Sequence, residues 1–161
     1  MQKEKEGILL ESGTNEIEIM KFTVLGEFYG INVAKVREII MSEKVKPMPH
    51  AHPAVEGIFK PRESLITVIN LAYYLPGTRP ENGARDLFIV TNFNKMTVAF
   101  RVQGIEGISR ISWKDIQKPD KTSANGDESV ATGIAQCEGQ LVTILDFEKI
   151  VAEIAPETSI Q

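Results

Sequence analysis

The chain has 161 residues, 42% hydrophobic and 25% charged, with 12 glycines and 8 prolines, a profile that excludes a disordered or fibrous chain and allows a real core. Eighteen basic against 22 acidic residues give a formal net charge of −4; no Lys/Arg run is long enough to track a phosphate backbone, so nucleic acid is not an expected partner. The single cysteine, Cys137, permits neither an internal disulfide nor a thiolate metal cluster and fits a reducing cytoplasm, and no stretch approaches the roughly 20 apolar residues that span a bilayer, so membrane contact is expected only through a partner.

Residues 1–16 read as an N-terminal extension. Met20, Phe22 and Val24 then alternate with Lys21 and Thr23, Gly26 and Glu27 form a turn, and Tyr29, Ile31 and Val33 resume the alternation, which predicts a β-hairpin over 17–34. From Val33 the period changes. Val33, Val36, Ile39 and Ile40 recur at three-to-four spacing, predicting a short amphipathic helix that stops before Pro47 and Pro49. After a Gly/Pro-rich linker at 76–86, Leu87–Thr91 and Thr97–Val102 predict a second hairpin, and Val102, Ile105 and Ile108 repeat the helical spacing of Val33, Val36 and Ile39. Ser112 with Asp115 resembles a capping box, residues 118–131 form a polar loop, and Asp146 caps a C-terminal amphipathic helix carrying Phe147, Ile150, Val151 and Ile154.

Two constant offsets run through this pattern. Val33, Val36 and Ile39 recur as Val102, Ile105 and Ile108 at an offset of 69 (102 − 33), and GIFKPRESLITVINL (57–71) aligns without a gap on GIAQCEGQLVTILDF (133–147) at an offset of 76 (133 − 57). We read an internal duplication in which each half supplies a hairpin, a helical step, a Gly-Ile strand, a turn and an apolar strand. Short strands separated by closely and regularly spaced turn signals favour closed or nearly closed barrels, which remove exposed edges. The expected core contains Phe22, Val24, Ile31, Val68, Ile69, Val98, Phe100, Ile144 and Leu145, and Trp113 is expected to cover a lobe edge.

Catalytic chemistry finds no foothold. The chain contains neither GxxxxGK nor GxGxxG, and no GxSxG elbow. His50, His52 and Glu56 share one proline-flanked loop, a poor arrangement for tetrahedral metal ligation, and Ser64 has no histidine placed as its base. No catalytic residue, metal or cofactor is therefore expected.

The motifs FYGINVAKVREI (28–39), VEGIFKPR (55–62), LITVINL (65–71) and TGI with LVTILDF, in this order, resemble the CheW-like coupling domain of bacterial chemotaxis, over Ile8 to Ile154. The leader ILLESGTNEIEI and the GIFKPR variant lie nearer to CheV, which joins such a domain to a receiver. The commoner pattern has Arg-Gly at the tight turn and Pro in the next strand, where this chain has Arg62-Glu63 and Thr67, and its later Val-Asp step is Val102-Gln103 here. The resemblance implies a mainly β fold of two packed five-stranded SH3-like barrels with short helices and a C-terminal helix. It further implies a CheW-like domain over 17–155 whose two lobes interleave, followed by a linker from 156 to 161 and, beyond it, a receiver. It also implies a non-catalytic adaptor that couples the chemoreceptor cytoplasmic tip to the regulatory domain of the histidine kinase CheA, in the cytoplasm at receptor arrays on the inner face of the membrane. The implied contacts are Val36, Glu38, Gly57 and Arg62. From the residues alone, Val36 also fits a core position and Arg62 a solvated turn, and the competing function is a small-ligand-binding β-barrel, which would show an enclosed pocket rather than an exposed apolar patch rimmed by charge.

Overall fold

A computed structural model describes residues 15–76, 83, 85–93, 95–118 and 130–154. The extension up to residue 14, the linker at 156–161 and most of the 118–131 loop lie outside the described residues. Among the described residues ten strands and one α-helix follow in order: β1 (Glu16–Val24), β2 (Glu27–Asn32), β3 (Glu38–Met41), β4 (Val55–Phe59), β5 (Ile66–Asn70), β6 (Leu87–Phe93), β7 (Met96–Val102), β8 (Gly104–Ser112), β9 (Ala131–Cys137), β10 (Gln140–Leu145) and α1 (Phe147–Ile154). Single 3-10 turns occupy Val33–Lys35, Leu71–Tyr74 and Trp113–Asp115.

Both hairpins form where the alternation places them. Leu25 and Gly26 at the first turn both have positive φ, 56° and 78°, the backbone hand that matches the right-handed twist of paired strands. The helix expected over Val33–Ile40 does not form. A 3-10 turn covers Val33–Lys35 and the chain then runs extended as β3, paired with β6. Val33 and Val36 pack on the core between the lobes, whereas Ile40 packs on the core of one barrel and Ile39 is exposed. A turn followed by a strand thus produces the three-to-four spacing. The Val102, Ile105, Ile108 repeat is likewise extended, running from the end of β7 into β8. There the pairing passes from Lys21↔Gly107 to Phe22↔Ile105, so Glu106 is an extra residue that stretches an alternation of two into one of three.

The strands form two five-stranded sheets, β8-β1-β2-β10-β9 and β3-β6-β7-β5-β4. The second is built from the continuous stretch Glu38–Val102 and is called the middle lobe; the first, the terminal lobe, is built from what flanks it. Each sheet is extended by one further bridge, Lys46↔Ile58 in the middle lobe and Gln117↔Ile134 in the terminal lobe.

The duplication is visible in the registers. Met20↔Ile31 becomes Ile89↔Phe100 (89 − 20 and 100 − 31, both 69), and Ile58↔Thr67 becomes Ile134↔Thr143 (134 − 58 and 143 − 67, both 76). Where the two offsets meet, at the parallel pairings, Thr67↔Val98 matches Thr143↔Tyr29. The register shift between Val55 and Gly57 is repeated between Ala131 and Gly133, at the second of these offsets. The pairing is also exchanged: β3, from the first half, lies on β6, and β8, from the second half, lies on β1.

Each barrel has its own core, Ile17, Ile19, Ala135, Val142 and Ile144 in the terminal lobe and Phe59, Ile66, Val68, Phe88 and Val90 in the middle lobe. A third, larger cluster joins them. In it Phe147 of α1 meets Phe22 of the terminal lobe edge-on at 6.0 Å and Phe100 of the middle lobe at 3.9 Å between ring centroids. All nine expected core residues are buried. Asp146 caps α1 through Oδ1, which accepts from the Lys149 N–H at 3.1 Å, and the Ser112 oxygen accepts from the Lys114 N–H ahead of the third 3-10 turn.

Candidate protein-interaction surface

Of the four residues singled out in the sequence, the fold brings Glu38 and Arg62 together. Glu38 opens β3 and Arg62 lies in the β4–β5 connection, 24 positions away, yet the Arg62 guanidinium donates to Glu38 Oε2 at 3.2 Å. The arginine side chain is 70% exposed and the glutamate 32%. Such a pair contributes about 0 to 1 kcal/mol to folding, so it can be exchanged for partner contacts at little cost to the fold.

Val36 sits two residues before β3, where its N–H donates to the Val33 carbonyl and closes the 3-10 turn. It is half-buried against the inter-lobe core. Gly57 is buried and presents no side chain to a partner. Its φ is +153°, and a Cβ there would run into the carbonyl oxygen of Lys46. The bridge Lys46↔Ile58 therefore needs glycine at 57, as the matching bridge Gln117↔Ile134 needs Gly133, where a Cβ would meet the Ile116 side chain.

The two segments that supply the ion pair also carry exposed apolar side chains that sequence patterning hid. Ile39, next to Glu38, is 39% exposed, and Leu65, in the same connection as Arg62, is 61% exposed. The offsets that relate the lobes map them onto Ile108 (39 + 69) and Leu141 (65 + 76), which are 59% and 70% exposed. The repeated positions are the signal that could have found them.

The loop carrying both histidines is committed to structure. His52 Nδ1 accepts from the Ala54 N–H at 3.0 Å, and its ring packs edge-on against Tyr73 at 5.5 Å. Glu56 holds the Arg101 guanidinium through two hydrogen bonds of 2.8 and 2.9 Å, with Asp86 on a third at 3.1 Å. Burial alone would lower the Arg101 pKa, but the hydrogen bonds and charge of Glu56, and then of Asp86, outweigh it and hold the guanidinium above its ordinary value. Among the described residues no three His, Cys, Asp or Glu side chains are grouped to hold a metal ion, and no helix among them is long and apolar enough to cross a membrane.

Two small barrels sharing an apolar core, with an ion pair on the surface and exposed apolar side chains at repeated positions, have the composition of a recognition domain rather than of a reaction site. The family profile of the CheW-like domain matches residues 18–155. The chain is 32% identical over 152 residues to the chemotaxis protein CheV3 of Helicobacter pylori, an alignment that covers 87% of this chain and 49% of that protein. It is 27% identical to the chemotaxis protein CheW of Treponema pallidum, over 84% of this chain and 82% of that one, and 26% identical to CheW of Thermotoga maritima, over 90% and 94%. The crystal structure of the scaffolding protein TtCheW from Thermoanaerobacter tengcongensis superposes with a TM-score of 0.72 at 17% identity, covering 90% of each chain. The chain belongs to the CheW-like domain family and is a non-catalytic chemotaxis coupling domain; it spans about half the length of the CheV3 relative.

Proposed function

We propose that this domain is an adaptor that links the cytoplasmic tip of a chemoreceptor to the regulatory domain of the histidine kinase CheA, using the surface that carries Val36, Glu38 and Arg62, with Gly57 supplying the backbone approach behind it. The carrying observation is the Glu38–Arg62 pair at 3.2 Å, with exposed Ile39 and Leu65 in the same two chain segments. An arginine fork beside exposed aliphatic groups combines a directional donor with area that a partner can bury, the composition of interface hot spots. In this reading the domain works in the cytoplasm and reaches the inner face of the membrane only through receptors.

Titration calorimetry of the folded domain against a receptor tip fragment and a kinase regulatory fragment tests this. Arg62→Ala and Val36→Asp are each expected to weaken at least one association by about tenfold or more, the equivalent of roughly 1.4 kcal/mol, with unfolding midpoints little changed for Arg62→Ala. Wild-type affinities for both fragments in both variants would remove the surface from the reading.

A further inference from the structure

In the terminal lobe β8 and β9 are the two outer strands of the sheet and do not pair with each other. The chain that follows β8 crosses to β9 at Gln117, where Gln117 and Ile134 exchange hydrogen bonds of 2.9 and 2.7 Å. Beyond that bridge lies a cavity of ≈ 810 Å³, lined by Ile108–Ser112 on one side and by Ile134–Glu138 on the other.

The direction of the backbone groups along both strands follows from their parity. The Trp113 N–H donates to the Asn15 carbonyl on the β1 side, so Ile111 and Ser109 also turn their backbone groups to β1, whereas Ser112, Arg110 and Ile108 turn theirs to the cavity. On β9 Ile134 spends its outward groups on the bridge, and Gln136, two residues on, faces the cavity in the same way. Among the described residues no backbone–backbone hydrogen bond engages the outward groups of Ile108, Arg110, Ser112 or Gln136. Unpaired N–H and C=O groups on two facing edges are a template for an added strand.

The side chains select the composition of that strand. Alternate residues of a strand point to opposite faces. One set of its side chains meets Ile111, Ala135 and Cys137, all buried, and must be apolar. The other set emerges among Glu16, Asp115 and Glu138, with Arg110 as the one cation lining the cavity. Arg110 is itself shared by Glu18 at 3.1 Å and Glu16 at 3.8 Å, so this face calls for further positive charge. The middle lobe supplies the contrast. The offsets carry Glu16, Gln136 and Glu138 onto Arg85 (16 + 69), Lys60 (136 − 76) and Arg62 (138 − 76), so the corresponding positions there are basic and repel the strand that the terminal lobe attracts.

We infer that the gap between β8 and β9 is a strand-addition site for an extended segment of a protein partner in which apolar and basic residues alternate. The added strand completes the terminal barrel. The inference goes beyond the adaptor reading, since it uses none of the surface around Val36, Glu38 and Arg62.

The test combines calorimetry with amide hydrogen exchange of the folded domain, using as probe an end-capped peptide of alternating valine and lysine. Saturable binding is expected, with slowed exchange at the Arg110 and Gln136 amides. The same peptide N-methylated at every second residue keeps its charge but loses half its donors, and is expected to bind about tenfold or more weakly. Gln136→Pro removes the outward N–H from the protein, at an edge position where proline spares the β9–β10 ladder. It is expected to weaken the unmethylated peptide to a similar degree, with the unfolding midpoint little changed. If that variant does not fold, the methylated peptide carries the test on the unaltered domain. A valine–glutamate peptide is expected to leave both amides unprotected, and protection by it overturns the basic partner. Absence of saturable valine–lysine binding overturns the site. Equal affinity of the methylated peptide, or wild-type affinity in folded Gln136→Pro, overturns strand addition by reducing the attraction to charge alone. None of these results bears on the adaptor reading, which Arg62→Ala tests with the receptor and kinase fragments.

Discussion

Lys21 shows how one residue departs from the duplicated plan. Its counterpart in the middle lobe is Val90 (21 + 69), a fully buried member of that barrel's core. Lys21 occupies the same inward position, 4% exposed, and carries its ammonium out to Glu138 Oε1 at 2.6 Å in the β9–β10 turn. The glutamate is 74% exposed, so its own desolvation is slight, while the lysine has left water for one partner. Buried charges are costly when orphaned and dispensable when replaced by apolar groups of similar volume. Lys21→Met is therefore expected to change stability by less than about 1 kcal/mol, in either direction. Glu138→Gln, which leaves the ammonium facing a neutral amide, should cost about 1 to 2 kcal/mol after allowance for the exposure of the glutamate. Urea midpoints of the two variants check this, and a Lys21→Met loss larger than that of Glu138→Gln would contradict it.

At the scale of elements, the same contrast applies to the Arg101 cluster, which ties β7 to the β4 bulge and to Asp86 just before β6. Arg101→Leu leaves two carboxylates of low exposure without their cation and should cost about 3 to 5 kcal/mol. Replacing the whole cluster by the residues of the other lobe, Arg101→Asn with Glu56→Thr and Asp86→Ile, should recover most of that loss, because the terminal lobe is folded with that set. Denaturant unfolding of the two variants gives the comparison, and a triple variant less stable than Arg101→Leu would show that the lobes are not interchangeable here. Legibility in the sequence divides along similar lines. The hairpins can be read because strand alternation is local, and the duplication because two constant offsets survive divergence. The helical reading of Val33–Ile40 fails because a 3-10 turn running into a strand mimics helical spacing, although a run rich in β-branched residues already favours extended backbone. Of the candidate surface, Arg62 and Glu38 are reached only through family resemblance, since nothing local signals that positions so far apart in the chain will pair. Ile39 and Leu65 look like core residues in the sequence, but Ile39 alternates with the core residue Ile40 along β3 and Leu65 precedes β5, so both face outward.

For the whole molecule the decisive feature is that neither half of the chain holds a complete sheet. The first half supplies β1 and β2 to the terminal lobe and β3, β4 and β5 to the middle lobe; the second supplies β6 and β7 to the middle lobe and β8, β9 and β10 to the terminal one. Each hairpin thus completes its sheet with strands from the opposite half, and Phe147 seals the arrangement by packing on Phe22 and Phe100 together. Cutting the chain within 77–82 should therefore give two fragments that cannot fold as monomers, since each would expose the unpaired edge that its lost strand covers. Mixed in equal amounts, they should recover the native circular dichroism and one cooperative unfolding transition. That transition should depend on concentration, because a covalent link that supplies a high effective concentration has become a bimolecular step. The repeated registers allow one further outcome for an isolated half, a homodimer in which β3 of each copy lies on β1 of the other, as β3 lies on β6 and β8 on β1 in the intact chain. Sedimentation of each purified fragment distinguishes these states. An unfolded chain or an exchanged dimer agrees with the interleaved architecture, and a compact monomeric half with its own cooperative transition would refute it.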